Sequence, residues 1–72
     1  MDLSLVEIGK EYVISRIETK DEELNAFLFS LGCYSGEAIT VIARRKSGCV
    51  VAIQEAKYNI DMQLAKAIVV NE

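Results

Sequence analysis

Short runs of β-branched and aromatic residues follow one another along most of this chain, and turn-forming residues separate them at close intervals. Residues of these types favour strands, and runs of this length are typical of short β-strands. The runs cover residues 12–18, 38–46, 49–54, 58–61 and 67–70. We therefore predict five short strands. Residues 62–66, between the last two, permit one helical turn.

The second and third predicted strands form a hairpin around Ser47-Gly48. In this pairing Ile39 and Val41 share one face, and Val51 and Ile53 oppose them. Before the first strand, the apolar residues of the segment 3–8 lead to Gly9. We expect this segment to form an apolar strap that packs against the core.

The segment between the first two strands is predicted to be a helix. Thr19 and Glu22 have the spacing of a capping box, in which each side chain accepts from the other residue's backbone N–H. Acidic residues then occupy the first turn, where the helix dipole favours them. An apolar stripe follows with helical spacing: Leu24, Phe27, Leu28 and Leu31. Gly32 follows the stripe, where a left-handed residue ends many helices, and Cys33 would then fold back onto Leu28.

These elements predict a mainly β fold with one helix. Five short strands are too few for a large sandwich, so we expect a small, partly open barrel plugged by the helix. The chain has 72 residues and begins with Met1. We expect a complete small protein with a single domain, residues 1–72.

Composition and charge limit the classes of function that this protein can have. The hydrophobic fraction is 51%, which implies a dense core or apolar surface left for a partner. The net charge, 8 − 11 = −3, disfavours binding to nucleic acid. The basic run Arg44-Arg45-Lys46 is expected to be a solvated hairpin end. No signal peptide or apolar run long enough to span a membrane is present, so we expect a cytoplasmic protein.

Enzyme and metal chemistry find little support. Histidine is absent and the four glycines are widely separated, so we predict no catalytic residue and no phosphate loop. Cys33 and Cys49 are expected to be small buried hydrophobes. The acidic residues near the helix start could hold a hard cation weakly, but they are better explained by the helix dipole: Glu18, Asp21, Glu22 and Glu23. We predict no metal site and no cofactor.

Two aromatic residues are the candidates for binding a partner. Phe29 points away from the apolar stripe of the predicted helix, and an outward aromatic side chain is a frequent interface anchor. The alternative is that the N-terminal strap covers it. Tyr34 is expected at a loop tip, where its ring either anchors a partner or covers the barrel mouth.

The segment from the helix into the next strand resembles the ferrous-iron transport protein A (FeoA) family. The family pattern there is matched by Leu31, Gly32, Cys33 and Gly36. Weaker matches span the chain, at Gly9, Val13, Ile17, Ile60, Asp61, Ala65 and Ile68. Two departures are Glu55, where the family often has glycine, and a short hairpin at residues 45–50.

The resemblance implies an SH3-like barrel in which Leu31, Gly32 and Gly36 are structural. It also implies a cytoplasmic accessory that docks on a bacterial ferrous-iron permease with a cytosolic GTP-binding domain and touches the membrane only through it. Similar domains form the C-terminal part of some iron-dependent regulators, but this sequence has no DNA-binding segment before the domain, so we expect the free-standing form. The alternatives are a soluble metal-linked chaperone and a small nucleic-acid-binding barrel, the latter resting on Arg44, Arg45, Lys46 and Tyr34.

Overall fold

A computed structural model describes all residues, Met1–Glu72. Five antiparallel strands form one sheet in the order β4-β3-β2-β1-β5. The elements are β1 (Glu11–Ile17), α1 (Glu22–Ser30), β2 (Ala38–Arg45), β3 (Gly48–Ile53), β4 (Ala56–Asp61), α2 (Met62–Ala67) and β5 (Ile68–Val70). Strands β4 and β5 are the two ends of the sheet and do not pair. The partly open, mainly β fold is therefore confirmed.

The helix count differs from the prediction, because residues 62–67 form a second helix rather than a single turn. Asp61 caps α2, and its Oδ1 accepts a hydrogen bond of 2.8 Å from the Leu64 N–H. Ala65 and Ala67 of α2 are buried. A short helix with small buried residues fits closely against the sheet between its two end strands. Neither helix is long and apolar enough to span a membrane.

The core consists of buried residues from the sheet, both helices and the N-terminal strap. The predicted hairpin faces are confirmed: Ile39, Val41, Val51 and Ile53 are all buried, and Val41 lies directly opposite Val51. The turn between β2 and β3 consists of Lys46 and Ser47. Gly48 follows it, and a Cβ there would collide with the backbone carbonyl oxygen of Ile60. This position therefore needs glycine for the close approach of β4.

The N-terminal strap packs against the core only in part, because Leu5 and Ile8 of this segment are 68% and 52% exposed. Leu3 and Val6 are buried, and the Leu3 N–H donates to the carbonyl oxygens of Ala65 and Ile68 at 3.2 and 3.1 Å. The Gly9 N–H donates to the Val41 carbonyl at 2.8 Å. The strap is thus attached to the sheet at both of its ends.

Arg44 corrects the expectation of a solvated basic hairpin end. It is half-buried, and its guanidinium donates a 2.7 Å hydrogen bond to the Val6 carbonyl oxygen. Arg45 and Lys46 are exposed, as expected. The first residue of the basic run therefore holds the strap, and only the other two are free at the hairpin end.

The start of α1 also differs from the prediction, because Asp21 rather than Thr19 is the N-cap. The Asp21 carboxylate accepts from the Glu23 and Leu24 N–H groups at 3.0 and 3.2 Å. The Thr19 hydroxyl instead accepts from the Asp21 N–H at 3.1 Å. Asp and Thr are both good N-caps. The hydrogen bond to the Thr19 hydroxyl helps to position Asp21. The helix therefore begins two residues later than a cap at Thr19 would place it.

The predicted apolar stripe of α1 is only partly correct. Leu28 is fully buried and Leu24 and Leu31 are half-buried, but Phe27 is 48% exposed. The helix is short, with nine residues, and contacts the core mainly through Leu28. A narrow contact of this kind leaves the edge of a wide apolar stripe in solvent.

The end of α1 confirms the role predicted for Gly32. Its φ of +88° is left-handed, the Cys33 N–H donates to the Leu28 carbonyl at 2.9 Å, and the Gly32 N–H donates to the Phe29 carbonyl at 3.0 Å. This pair of bonds is the Schellman motif. Cys33 and Leu28 are both buried in the core, so the chain does fold back as predicted.

Candidate docking site

The two predicted partner-binding aromatics lie side by side on the surface. The ring centroids of Phe29 and Tyr34 are 4.9 Å apart, with an angle of 35° between the ring planes. Phe29 is 65% exposed and Tyr34 is half-buried. The reversal of the chain at Gly32 brings them together, because it folds the residues after the helix back along its last turn.

The strap does not cover Phe29. The hydrogen bonds of the strap and Gly9 reach both helix α2 and the strands β5, β1 and β2, through Ala65, Ile68, Tyr12, Val41 and Arg44, and Phe29 remains largely in solvent. The alternative interpretation of Phe29 is therefore wrong. Tyr34 provides its only aromatic neighbour.

Gln54 completes this surface, and sequence reasoning did not find it. Its Nε2 lies 3.5 Å from the Tyr34 hydroxyl, and a Cβ on Gly32 would lie 3.0 Å from its Cδ. Gln54 is in the turn between β3 and β4, far from the helix in sequence. The sequence predicts Gln54 as the last residue of the third strand, and nothing in it indicates that this position lies beside the end of α1. We call Phe29, Tyr34 and Gln54 the aromatic face.

The family-motif residues Leu31, Gly32 and Gly36 lie on either side of Tyr34 in the chain. Gly32 is buried, and Gly36 has a φ of +92° with open space around it. The Gly36 N–H donates to the Ile14 carbonyl at 2.8 Å. Leu31 is half-buried and packs against the core. These positions shape the backbone that carries Tyr34, which agrees with a structural role for all three.

The acidic residues near the start of α1 are accounted for by local contacts. Asp21 caps the helix, and Glu18 forms a 2.9 Å ion pair with Arg16. Glu22 and Glu23 lie in the first helical turn, where their charge is favourable. Asp21, Glu22 and Glu23 therefore carry the predicted helix-start charge, whereas Glu18 lies before the helix and pairs with Arg16.

The residues that suggested nucleic-acid binding are not brought together. Tyr34 precedes the start of β2, whereas Arg44 and Arg45 end it. The strand has eight residues, so these groups are separated by on the order of 20 Å. Arg44 is also engaged with the strap. The structure therefore shows no continuous basic and aromatic surface.

Both cysteines are free and buried in the core, which confirms their interpretation as small hydrophobes. Burial raises the pKa of the Cys33 thiol to about 12. Burial also raises the pKa of the Cys49 thiol, although the Arg44 charge opposes this. The reactive thiolate form is thus disfavoured at neutral pH. No polar or charged side chain is buried in the protein.

This fold is of the SH3-like class: one antiparallel sheet of five short strands, left open between its end strands. The chain belongs to the FeoA family, because the family profile described as "FeoA domain" matches residues 1–72. A search of curated protein sequences gives no match.

Solved structures agree with this assignment. Stenotrophomonas maltophilia FeoA, a prokaryotic SH3 domain protein crystallised with zinc, is 20% identical with a TM-score of 0.86, covering 99% of this chain and 89% of that one. Iron(II) transport protein A from Clostridium thermocellum is 26% identical with a TM-score of 0.87, covering 97% and 44%. A manganese-dependent transcriptional repressor is 26% identical with a TM-score of 0.89, covering 97% and 40%. This chain spans less than half the length of the last two.

The residues present do not fit a tight transition-metal site like those built from Cys and His ligands. Histidine is absent, and no group of three or more Cys, Asp or Glu residues lies close enough to hold a metal ion. The two buried thiols favour the protonated form, which does not ligate metals. That the isolated protein has no specific iron site stays a prediction.

Proposed function

We propose that this protein is a non-enzymatic cytoplasmic accessory of a ferrous-iron transporter and acts by docking on its cytosolic part. Family membership supports the link to ferrous iron. The Stenotrophomonas maltophilia relative has been put forward as a bacterial ferrous iron transport activating factor. The partner is a ferrous-iron permease with a cytosolic GTP-binding domain, and the protein reaches the membrane only through it.

The observation that carries the docking proposal is the exposed aromatic face. Phe29 exposes 65% of its surface while packing on Tyr34 at 4.9 Å. Aromatic side chains with an exposed flat surface and few rotatable bonds are the commonest interface anchors. The buried Schellman turn holds both residues, so little conformational freedom is lost when a partner covers them.

The charge around the aromatic face indicates what the partner surface contributes. The last turn of α1 has no basic side chain, so the partial negative charge of the helix end is not neutralised there. The protein as a whole carries a net charge of −3. We therefore expect an apolar pocket for Phe29 flanked by a Lys or Arg, which would also interact favourably with the aromatic rings.

A direct binding measurement tests the proposed role. The purified protein is titrated against the transporter in lipid nanodiscs, in the nucleotide-free state and with GDP or a non-hydrolysable GTP analogue. Empty nanodiscs are the control for membrane contact. We expect saturable binding to the loaded discs alone. No binding in any nucleotide state contradicts the proposed role.

A further inference from the structure

The outer side of strand β4 has free backbone hydrogen-bonding groups. Ile53 and Ala56 are opposite each other across the two-residue turn of the β3–β4 hairpin, and the register continues without a bulge to Asp61. The pair flanking a two-residue turn exchanges both backbone hydrogen bonds, and such pairs alternate along an antiparallel ladder. The N–H and C=O groups of Lys57 and Asn59 therefore point away from β3.

The two edge strands of the sheet differ, because β5 is covered by other residues of the chain and β4 is not. At the β5 end, Val69 forms a bridge with Asp2 and the Val70 N–H donates to the Met1 carbonyl at 2.8 Å. Met1 and Asp2, which precede the strap, thus cover that edge. At the other end, β4 pairs only with β3, and Lys57 and Asn59 are exposed. An unbulged, uncovered edge strand is a template for pairing with another strand.

The side chains on this edge are complementary to themselves. Lys57, Asn59 and Asp61 alternate along β4, and all three are exposed. Two copies of this strand in antiparallel register, centred on Asn59, place Lys57 of each copy opposite Asp61 of the other and the two Asn59 amides opposite each other. A shift by two residues in either direction loses the Lys–Asp pairs. Opposite charges directly across an antiparallel pair are stabilising, whereas like charges destabilise it.

We propose that β4 is a self-association edge at which a second copy of this chain pairs in antiparallel register centred on Asn59. The two Asn59 residues exchange backbone hydrogen bonds, and the Asp61 N–H of each copy donates to the Lys57 carbonyl of the other. The pairing joins the sheets of two copies by a two-fold axis, so the contact closes and no filament grows.

The cap of α2 is compatible with this pairing. Asp61 uses its Oδ1 to accept from the Leu64 N–H, which leaves Oδ2 for the Lys57 ammonium of the second copy. The Asp61 carbonyl of each copy is used at the start of α2 and cannot accept from the Lys57 N–H of the other copy. That N–H therefore takes no part in the pairing. This self-association concerns a different surface from the aromatic face and does not depend on the proposed transporter.

Sedimentation equilibrium of the purified protein from about 10 µM to about 1 mM tests the proposal, because association makes the apparent mass depend on concentration. We expect a monomer–dimer equilibrium. Asn59→Pro removes an outward N–H without touching the β3 ladder, and proline is tolerated at such edge positions. This variant should stay monomeric, whereas the matched Asn59→Ala should still dimerise. A monomeric wild type up to the highest concentration, or a dimeric Asn59→Pro, overturns the proposal.

Charge reversal gives a second test. Lys57→Glu places like charges opposite each other and should raise the dimer dissociation constant at least about tenfold. Lys20→Glu makes the same charge change at an exposed residue away from β4 and should leave it unchanged. Equal effects of both variants contradict the register. Should Asn59→Pro fail to fold, wild-type amide exchange decides: protection of the Asn59 and Asp61 amides must rise with concentration, and unchanged protection overturns the proposal.

Discussion

Phe29 and Tyr34 lie with their ring centroids 4.9 Å apart on the outside of the fold, joined by the left-handed turn at Gly32. The ring of Phe29 contributes little to the core, since most of its surface is exposed. Its position is nevertheless fixed, because the residues directly beneath the turn, Leu28 and Cys33, are fully buried. The protein thus presents an aromatic side chain on a rigid backbone.

Replacing Gly32 by Ala should destabilise the fold by about 1–2 kcal/mol, because its φ of +88° is unfavourable for a residue with a Cβ. Gly36→Ala is the matched control, since it has a similar φ of +92° but no neighbour within 4 Å. Urea unfolding of both variants separates backbone strain from the contact with Gln54. A Gly32→Ala variant as stable as the wild type would show that the turn is not left-handed.

Replacing Glu55 by Gly should stabilise the protein by about 0.5–1 kcal/mol. Gln54 and Glu55 have φ values of +50° and +69°, the signature of a tight hairpin turn that favours glycine at the second position. Glu55→Ala removes the same carboxylate but keeps the Cβ, so it should give no gain. Thermal unfolding should show the Gly variant melting a few degrees higher. Equal melting temperatures for the Gly and Ala variants would contradict a strained turn.

Arg44→Met should loosen the strap, because it removes the 2.7 Å hydrogen bond to the Val6 carbonyl while retaining most of the apolar stem. We expect a loss of about 1–2 kcal/mol in unfolding free energy. Amide exchange at Gly9, which donates to Val41 in the same region, should become faster. Arg45→Met makes the same change at the exposed neighbour and should alter neither quantity. Similar losses in both variants would mean that net charge, not the strap contact, matters.

Stability should fall at alkaline pH through Cys33. Its folded-state pKa of about 12 lies above the ordinary value of 9.0, so the folded state favours the neutral thiol. This contribution is complete below pH 9 and is lost as the pH rises towards 12, with a slope of up to about 1.4 kcal/mol per pH unit. Cys33→Ala should be less stable at pH 7 but show a shallower decline between pH 9 and 11 in urea unfolding. Parallel declines would contradict the shifted pKa.

The sequence predicted the parts of this fold that depend on local pattern. Alternation at Ile39, Val41, Val51 and Ile53 defined the hairpin faces, and Gly32 marked the end of α1. Contacts between distant segments were not predictable in this way. Nothing local distinguishes Arg44, which holds the strap, from exposed Arg45, and nothing places Gln54 beside Tyr34. The capping-box spacing of Thr19 and Glu22 predicts a cap at Thr19, but Asp21 also has a suitable side chain, and its extended backbone conformation makes it the N-cap.

The candidate site was predictable as two separate residues rather than as a surface. Helical spacing alone shows that Phe29 points away from Leu28. That Phe27 is exposed as well depends on how narrowly α1 contacts the sheet, which is a property of the packing. The distance between Phe29 and Tyr34 depends on the geometry of the turn at Gly32. Sequence spacing therefore identified the two candidate residues, and the structure shows that their rings lie side by side.

The central claim is that Phe29 anchors the docking of this protein on a ferrous-iron transporter. The most direct test is the dissociation constant for the transporter in nanodiscs, measured for the wild type, Phe29→Ser and Phe27→Ser. Both substitutions remove an exposed phenylalanine from the same helix, so both variants should fold normally by circular dichroism. We expect Phe29→Ser to weaken binding about 30-fold or more, the loss typical of an interface hot spot, and Phe27→Ser to bind within about threefold of the wild type. Wild-type affinity in Phe29→Ser would contradict the claim.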